Sequence, residues 1–345
     1  MRDYQYRMKN FLEKRPVPSG ANQKDRQSSA TLQGWALLGF AILSALVALL
    51  HLFILYEAWV LHSLGGLLVA FILLGLCAAL IKEARQPVKI SGAAPARELL
   101  LIGFCHVAGA WVTYELSHSF GLGAVLASAL VGLLGGVLFP RYGAPIFCGS
   151  FVGMCSNLVI VQVADLLLAA SIAGVVYILA RQVLNGFGGK LGTIAFSGAL
   201  LTGLGLKRQF LIAPIPPFDL AWFIVLYATA AAVLTYWLST SFKWGPVRAS
   251  GAVGLASGLL LPALHPVYGG TLAVVAFCAS FTGMSAAERL PGMKLMTLAG
   301  LFTGIIFLYS MPVFGGAGGK LGTIAFGASL AVRGYLQIFS RFAPK

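Results

Sequence analysis

A nine-residue motif that places a lysine between glycines occurs twice in this chain. The motif GGKLGTIAF is identical at 188–196 and 318–326. Glycines permit an unwound backbone or a close helix contact, and an unwound backbone exposes N–H groups that attract negative charge. Since a lysine adds a cation, we predict a substrate pathway here, formed by Gly189, Lys190, Gly192, Thr193, Gly319, Lys320, Gly322 and Thr323.

The motif differs from a nucleotide-binding phosphate loop. Leu191 and Leu321 stand where a Ser or Thr would follow the lysine. A charged side chain at the bilayer centre costs roughly 2.5–3.5 kcal/mol, so two lysines are poorly explained as filler. The alternative is that each lysine snorkels to lipid phosphate at the interface. Each threonine hydroxyl then merely bonds back to its own helix.

A second repeated element reads SFVGM at 150–154 and SFTGM at 280–284. Rings of apolar side chains can gate a pore by dewetting, so we predict that Phe151 and Phe281 form a constriction. We assign Gly153 and Gly283 to the same pathway. Tight packing of small residues is the structural alternative for this element.

Four titratable residues in apolar segments are candidates for ion or proton coupling. Glu115 and His118 lie three apart, on one helix face, and the second copy lacks both. Asp165 is the best candidate for a coupling carboxylate, and His106 is a candidate relay. The alternatives are a water-facing pair, an interfacial aspartate and a packing histidine.

Patterns typical of enzymes and metal sites are not found in the sequence. It contains no HExxH motif, no GxSxG elbow and no usefully spaced pair of carboxylates. Its five cysteines lie in apolar stretches without a CxxC pair. We therefore predict no catalytic residue, no metal and no cofactor.

The composition indicates where these residues must be held. Hydrophobic residues make up 59% of the 345 residues and charged residues only 10%, whereas soluble domains carry about 25% charged residues. The formal net charge of +14 is spread over short loops between apolar blocks, as orientation signals are. We therefore predict an integral membrane protein that does not bind nucleic acid.

The main body of the chain is a duplication. Four pairs of blocks occur in the same order, the first two pairs separated by 122 residues and the last two by 130. The change of offset places one insertion near 263–270. The pairs are TYELSHSF and TYWLSTSF, VGLLGGVLFP and VGLASGLLLP, SFVGM and SFTGM, and the two GGKLGTIAF motifs.

We predict an all-α polytopic membrane protein with about 10–12 transmembrane helices. Each copy contains five apolar blocks, and the Gly-rich third and fifth blocks are expected to be broken or re-entrant. The first predicted unit is a basic cytoplasmic tail at 1–33, which contains a short interfacial helix and a disordered stretch. It is followed by a transmembrane hairpin with a basic loop at 34–97, by repeats at 98–206 and 219–337, and by a basic tail at 338–345.

The distribution of charge favours parallel copies. If the third block re-enters, each copy crosses four times, and the basic residues left outside are Arg181, Lys243 and Arg248. If all five blocks cross, the copies are inverted, and we expect Arg289, Lys294, Arg341 and Lys345 outside. Inverted copies are common in transporters, so this alternative stays open.

These features predict a transporter or channel that moves a small polar or anionic solute between the two repeats. Its partners are then the lipid bilayer and the solute, with a homo-oligomer or a larger membrane complex left open. The expected location is the bacterial cytoplasmic (inner) membrane, with the N-terminus cytoplasmic. The alternatives are a scaffold or assembly subunit of a membrane complex and an intramembrane lipid-modifying enzyme.

Overall fold

The computed structural model describes residues 23–88, 92 and 94–340, and these residues form twelve helices and no strand. Predictions for residues 1–22 and 341–345 lie outside this part. The helices are α1 Gln23–Leu61, α2 Ser63–Ala84, α3 Ala96–His118, α4 Ala124–Leu138, α5 Gly143–Val152, α6 Val163–Ala180, α7 Lys190–Gly205, α8 Phe218–Thr240, α9 Pro246–Leu264, α10 Gly269–Gly283, α11 Met293–Ser310 and α12 Lys320–Phe339.

Seven of the described helices are long and apolar enough to cross a membrane: α1, α2, α3, α6, α8, α9 and α11. The prediction of a helical polytopic membrane protein is therefore confirmed. α1 begins at Gln23, inside the segment predicted as a partly disordered tail. Once the apolar span has formed a helix, extending it through 23–33 requires no new nucleation.

The two copies follow the same course, as α3–α7 and α8–α12. In the third block, α5 and α10 stop at Val152 and Gly283, and irregular backbone completes the crossing. In the fifth block, irregular backbone comes first and a helix follows. The insertion near 263–270 adds about one turn to each neighbouring helix, since α9 has 19 residues against 15 in α4, and α10 has 15 against 10 in α5.

The copies are antiparallel, so the expectation of parallel copies was wrong. A Cβ added to Gly192 would overlap Gly322, one added to Gly189 would overlap Phe326, and one added to Gly319 would overlap Phe196. The start of α7 therefore lies beside a later part of α12, and the start of α12 lies beside a later part of α7. α4 and α9 cross in the same antiparallel way, because Gly251 abuts Leu133 while Gly258, one to two turns later, abuts Leu126, which is earlier in α4.

Contacts between the links of the first copy show that its five blocks pass through the bundle an odd number of times. Glu98 at the start of α3 pairs with Arg141 after α4, at 3.6 Å. At the other end of the bundle, Arg208 after α7 pairs with Asp165 at 2.8 Å. The first copy therefore starts and finishes on different faces, as an odd number of crossings requires.

The five crossings also reverse the expected positions of several charges. Arg289 in the second copy pairs with Glu83 at 2.7 Å, on the face that we call the basic face because it holds Lys82, Arg141 and Arg289. The chain returns to this face after α6, α8 and α10. Arg181, Lys243, Arg248, Arg289 and Lys294 therefore lie at the basic face, and Lys207 and Arg208 lie at the opposite face.

The N-terminal hairpin α1–α2 packs on one side of the duplicated unit. Gly75 of α2 abuts Ala331 and Tyr335 of α12, and Gly39 of α1 abuts Leu179 of α6. The Tyr335 hydroxyl donates to the Phe71 carbonyl. The hairpin thus lies against elements of both copies without following the pseudo-symmetry between them.

Candidate functional site

Four phenylalanines meet at the centre of the duplicated unit. Ring centroids lie 4.4 Å apart between Phe147 and Phe151, 4.7 Å between Phe151 and Phe281, and 4.6 Å between Phe281 and Phe277. Each ring is at most 2% exposed. α5 and α10 supply two rings each, so these four residues, the phenylalanine cluster, straddle the pseudo-twofold axis.

Two cavities flank the phenylalanine cluster, and both are lined by Phe151 and Phe281. The first cavity has a volume of about 270 Å³ and lies toward the basic face, beside Arg181, Asn185 and Pro246. The second cavity has a volume of about 290 Å³ and lies toward the opposite face, beside Ala124, Met311 and Leu211. The cluster thus separates two cavities that the inverted repeat relates to each other.

The glycines of the repeated motif set the start of a helix in each cavity. Gly189 and Gly319 precede α7 and α12 with φ of 83° and 85°, a left-handed conformation that favours glycine. The next glycine of each motif, Gly192 or Gly322, lies at the crossing of the two helices. The first turn of α7 lines the first cavity and that of α12 lines the second, so each cavity receives the positive end of a helix dipole.

The motif lysines are buried inside the protein and do not snorkel outward. Lys190 is 8% exposed and Lys320 is 7% exposed, and each lines one cavity. The Lys190 ammonium donates to Ala180 O at 2.8 Å, Val183 O at 2.6 Å and Asn185 Oδ1 at 2.6 Å. Lys320 donates to Ser310 O at 2.5 Å. Because Ala180 and Ser310 end α6 and α11, each lysine also satisfies a helix C-terminus.

The two cavities differ in polarity at three equivalent positions. Tyr177, Arg181 and Asn185 line the first cavity. The second cavity has Phe307, Met311 and Gly315 there, at the motif offset of 130 residues. No acidic side chain lines either cavity in the described part of the chain. The first cavity is therefore the more cationic and the richer in hydrogen-bonding groups.

The remaining repeated pathway candidates make packing contacts. The Thr193 and Thr323 hydroxyls bond back to Gly189 O and Gly319 O at 3.4 and 3.3 Å, the local alternative raised from the sequence. Gly153 packs on Ala110 and Thr113 of α3, and Gly283 packs on Ala232 and Thr235 of α8. None of these four residues lines a cavity.

Three of the titratable candidates lie away from the cavities. Asp165 pairs with Arg208 and accepts from Val161 N at 3.1 Å, near the opposite face. Glu115 accepts from Ser119 Oγ at 2.6 Å, and the His118 ring packs on Tyr114. The structure therefore does not bring these residues to the proposed pathway.

His106 is the one titratable candidate next to a cavity-lining residue. Its ring is fully buried and lies 4.7 Å from the Tyr177 ring, in an edge-on arrangement. Its Nδ1 bonds to Ile102 O at 2.9 Å, and its Nε2 has no hydrogen-bond partner among the described residues. His106 therefore packs against Tyr177, which lines the first cavity, but does not line that cavity itself.

Sequence reasoning missed other repeated residues near the cavities. Phe147 and Phe277 belong to a repeated pattern, FCxSF, at 147–151 and 277–281. The same pattern contains Cys148 and Cys278, whose thiols donate to Leu191 O at 3.1 Å and Leu321 O at 3.2 Å. Reading this block three residues further upstream would have found all four.

Comparison with protein families, curated proteins and solved structures found no match for this chain. Any functional assignment must therefore come from the geometry described above.

Proposed function

We propose that this protein is a transporter or channel that moves a small solute between the two inverted repeats. The observation that carries the proposal is the pair of cavities, one toward each face, with the phenylalanine cluster between them. A fold that only supported other subunits would have no need for matched cavities on both sides of a buried barrier. Inverted repeats around a central site are typical of transporters.

The chemistry of the cavity lining favours an anionic or polar solute. Arg181 and Lys190 bring two cations to the first cavity, Asn185 adds a hydrogen-bonding amide, and no acid lies among its lining residues. Helix N-termini aimed at a midplane site attract anionic groups in transporters. Cavities of about 270 and 290 Å³ fall near or below the roughly 300 Å³ lower bound for drug-sized ligands, which favours a small solute.

The same geometry favours transport over catalysis. The buried lysines donate to backbone carbonyls at the ends of α6 and α11, which suits a positioned cation better than a nucleophile. The thiols of Cys148 and Cys278 likewise bond to backbone carbonyls. We therefore propose a role without covalent chemistry.

We propose that the basic face is cytoplasmic, in a bacterial inner membrane. Arg141, Arg181, Lys243, Arg289 and Lys294 belong to links on this face. In the described links of the opposite face, the basic residues are Lys207 and Arg208. An excess of Lys and Arg marks cytoplasmic loops. Since α2 ends and α3 begins at the basic face, α1 also begins there, and the N-terminus is then cytoplasmic.

Flux into proteoliposomes tests the proposed function. We expect the wild-type protein to carry small monovalent anions faster than protein-free liposomes do. Arg181→Met copies the second cavity's Met311 into the first. A unit charge about 4 Å from an anion is worth up to ~4 kcal/mol near a protein surface, so the flux should fall by about tenfold or more.

Lys243→Met is the matched control, because it removes a basic-face charge from a residue that does not line the cavity. Equal flux in the Arg181 and Lys243 variants would contradict an anion pathway. A folded wild-type protein that carries no small solute and co-purifies with a stable partner would favour the scaffold alternative.

A further inference from the structure

A crevice on the outside of the bundle lies between α2 and α12, at the basic face. It has a volume of about 240 Å³ and is separate from both pathway cavities. Its apolar wall consists of Ala78, Ile81, Gly334 and Ile338, and its polar residues are Lys82, Arg85 and Gln337. The crevice therefore combines an apolar slot with a basic end at the boundary of the membrane.

Gln337 is the unusual member of this crevice. It is 6% exposed, and neither its Oε1 nor its Nε2 has a hydrogen-bond partner within the part of the chain that the structure describes. A buried amide without partners costs about 1–3 kcal/mol, and a polar group is seldom retained in that state. An amide that lines a cavity and has both polar atoms free is suited to a ligand that accepts and donates hydrogen bonds.

The crevice also contains two cations. Lys82 and Arg85 form no ion pair among the described residues, whereas the intervening Glu83 pairs with Arg289. The two side chains lie at and just beyond the end of α2, where a lysine or arginine also interacts favourably with the helix dipole. The helix dipole explains the position of Lys82 and Arg85 but not the buried Gln337 amide beside them. The two cations and the amide together are suited to binding a phosphate group.

We propose that this crevice binds an anionic phospholipid. Lys82 and Arg85 contact the phosphate, Gln337 hydrogen-bonds to the headgroup, and an acyl chain lies along Ile81 and Ile338. Basic pockets between transmembrane helices on the cytoplasmic side are suited to anionic headgroups. Because the crevice lies between the N-terminal hairpin and α12, the bound lipid would stabilise the packing of the hairpin against the duplicated unit.

Native mass spectrometry of the delipidated full-length protein in detergent tests this proposal. Phosphatidylglycerol and phosphatidylcholine with the same acyl chains are titrated in parallel. We expect tighter binding of phosphatidylglycerol, and a loss of about thirtyfold in Lys82→Gln/Arg85→Gln, from the free energy that two basic side chains provide near an anionic group. Lys243→Gln/Lys294→Gln, which removes two other charges from the same face, should bind like wild type.

Gln337→Leu tests the role of the amide in lipid binding separately from its effect on the stability of the protein. We expect it to raise the thermal midpoint of the lipid-free protein, because it removes an unpaired buried amide, and to weaken phosphatidylglycerol binding. Equal affinity for the two lipids, or an equal loss in the two double variants, would overturn the proposal. Inorganic phosphate could displace phosphatidylglycerol and, by itself, raise the thermal midpoint as much as phosphatidylglycerol does. In that case the site binds free phosphate and the lipid assignment is wrong.

Discussion

Two lysines at equivalent positions of the repeats have unequal sets of hydrogen-bond acceptors. Lys190 donates to two carbonyls and one amide, and Lys320 donates to one carbonyl. The missing amide is explained because Asn185 of the first copy is replaced by Gly315 in the second. Identical motifs therefore serve in different local environments.

We expect Lys190→Gln to destabilise the protein more than Lys320→Gln does. A shortened side chain leaves the carbonyls of Ala180 and Val183 without their donor, and each unpaired buried group costs about 1–3 kcal/mol. In the second copy only Ser310 O loses its partner. Thermal unfolding in detergent measures the difference, and equal midpoints would show that the extra acceptors contribute nothing.

Residues that line the two cavities were predictable where the copies agree in sequence, but not where the copies differ. The repeated sequence located Lys190, Lys320, Phe151 and Phe281, because repetition separates them from ordinary apolar filler. Arg181 could not be located by repetition, since the second copy has Met at the equivalent position. A lone arginine at the end of an apolar block reads as an orientation signal, and only the fold shows that it lines a cavity.

At the scale of helices, the antiparallel crossing of α7 and α12 defines the centre of the molecule. The two helices approach closely enough that a Cβ on Gly192 would overlap the Gly322 backbone. Each helix also begins close to this crossing, which places its N-terminus inside a cavity. The glycines therefore position the motif lysines at the two cavities.

Gly192→Ala tests the crossing. We expect it to destabilise the protein by about 1–3 kcal/mol or to prevent folding, because an added methyl group forces the two backbones apart. Gly205→Ala is the matched control near the other end of α7, where an added Cβ meets nothing within 4 Å. Thermal unfolding compares them, and an unchanged midpoint in Gly192→Ala would argue against the close crossing.

The distribution of basic residues in the sequence did not predict the direction of the copies. The Gly-rich third block predicts a segment that returns to its own side, and the count of basic residues favours the parallel copies that follow from it. The structure shows that the irregular segment continues across the bundle, because Tyr114 near the end of α3 donates to Asn157 at 3.0 Å. The expectation that Arg289 and Lys294 would lie outside with five crossings was also wrong.

At the scale of the whole molecule, the inverted repeat separates the charged links by face. Lys207 follows the fifth crossing of the first copy and lies at the opposite face. Lys243 follows the first crossing of the second copy and lies at the basic face. Only 36 residues of sequence, including the membrane helix α8, separate them.

Labelling of single cysteines checks this topology. In a variant that lacks the five native cysteines, we expect Lys243→Cys and Arg141→Cys to react with a membrane-impermeant reagent from the same side. Lys207→Cys should react only from the other side. Labelling of Lys207→Cys and Arg141→Cys from one side would indicate parallel copies.

The proposed pathway depends most directly on the phenylalanine cluster, because the cluster is the barrier between the two cavities. The measurement is anion flux through proteoliposomes containing Phe151→Ala/Phe281→Ala, beside Phe302→Ala as a control that truncates a buried ring outside both cavities. Each Phe→Ala change costs about 3–5 kcal/mol of stability, so only variants that remain folded are compared. We expect faster, leakier flux in the double variant and wild-type flux in the control, whereas wild-type flux in both would contradict a pathway through the cluster.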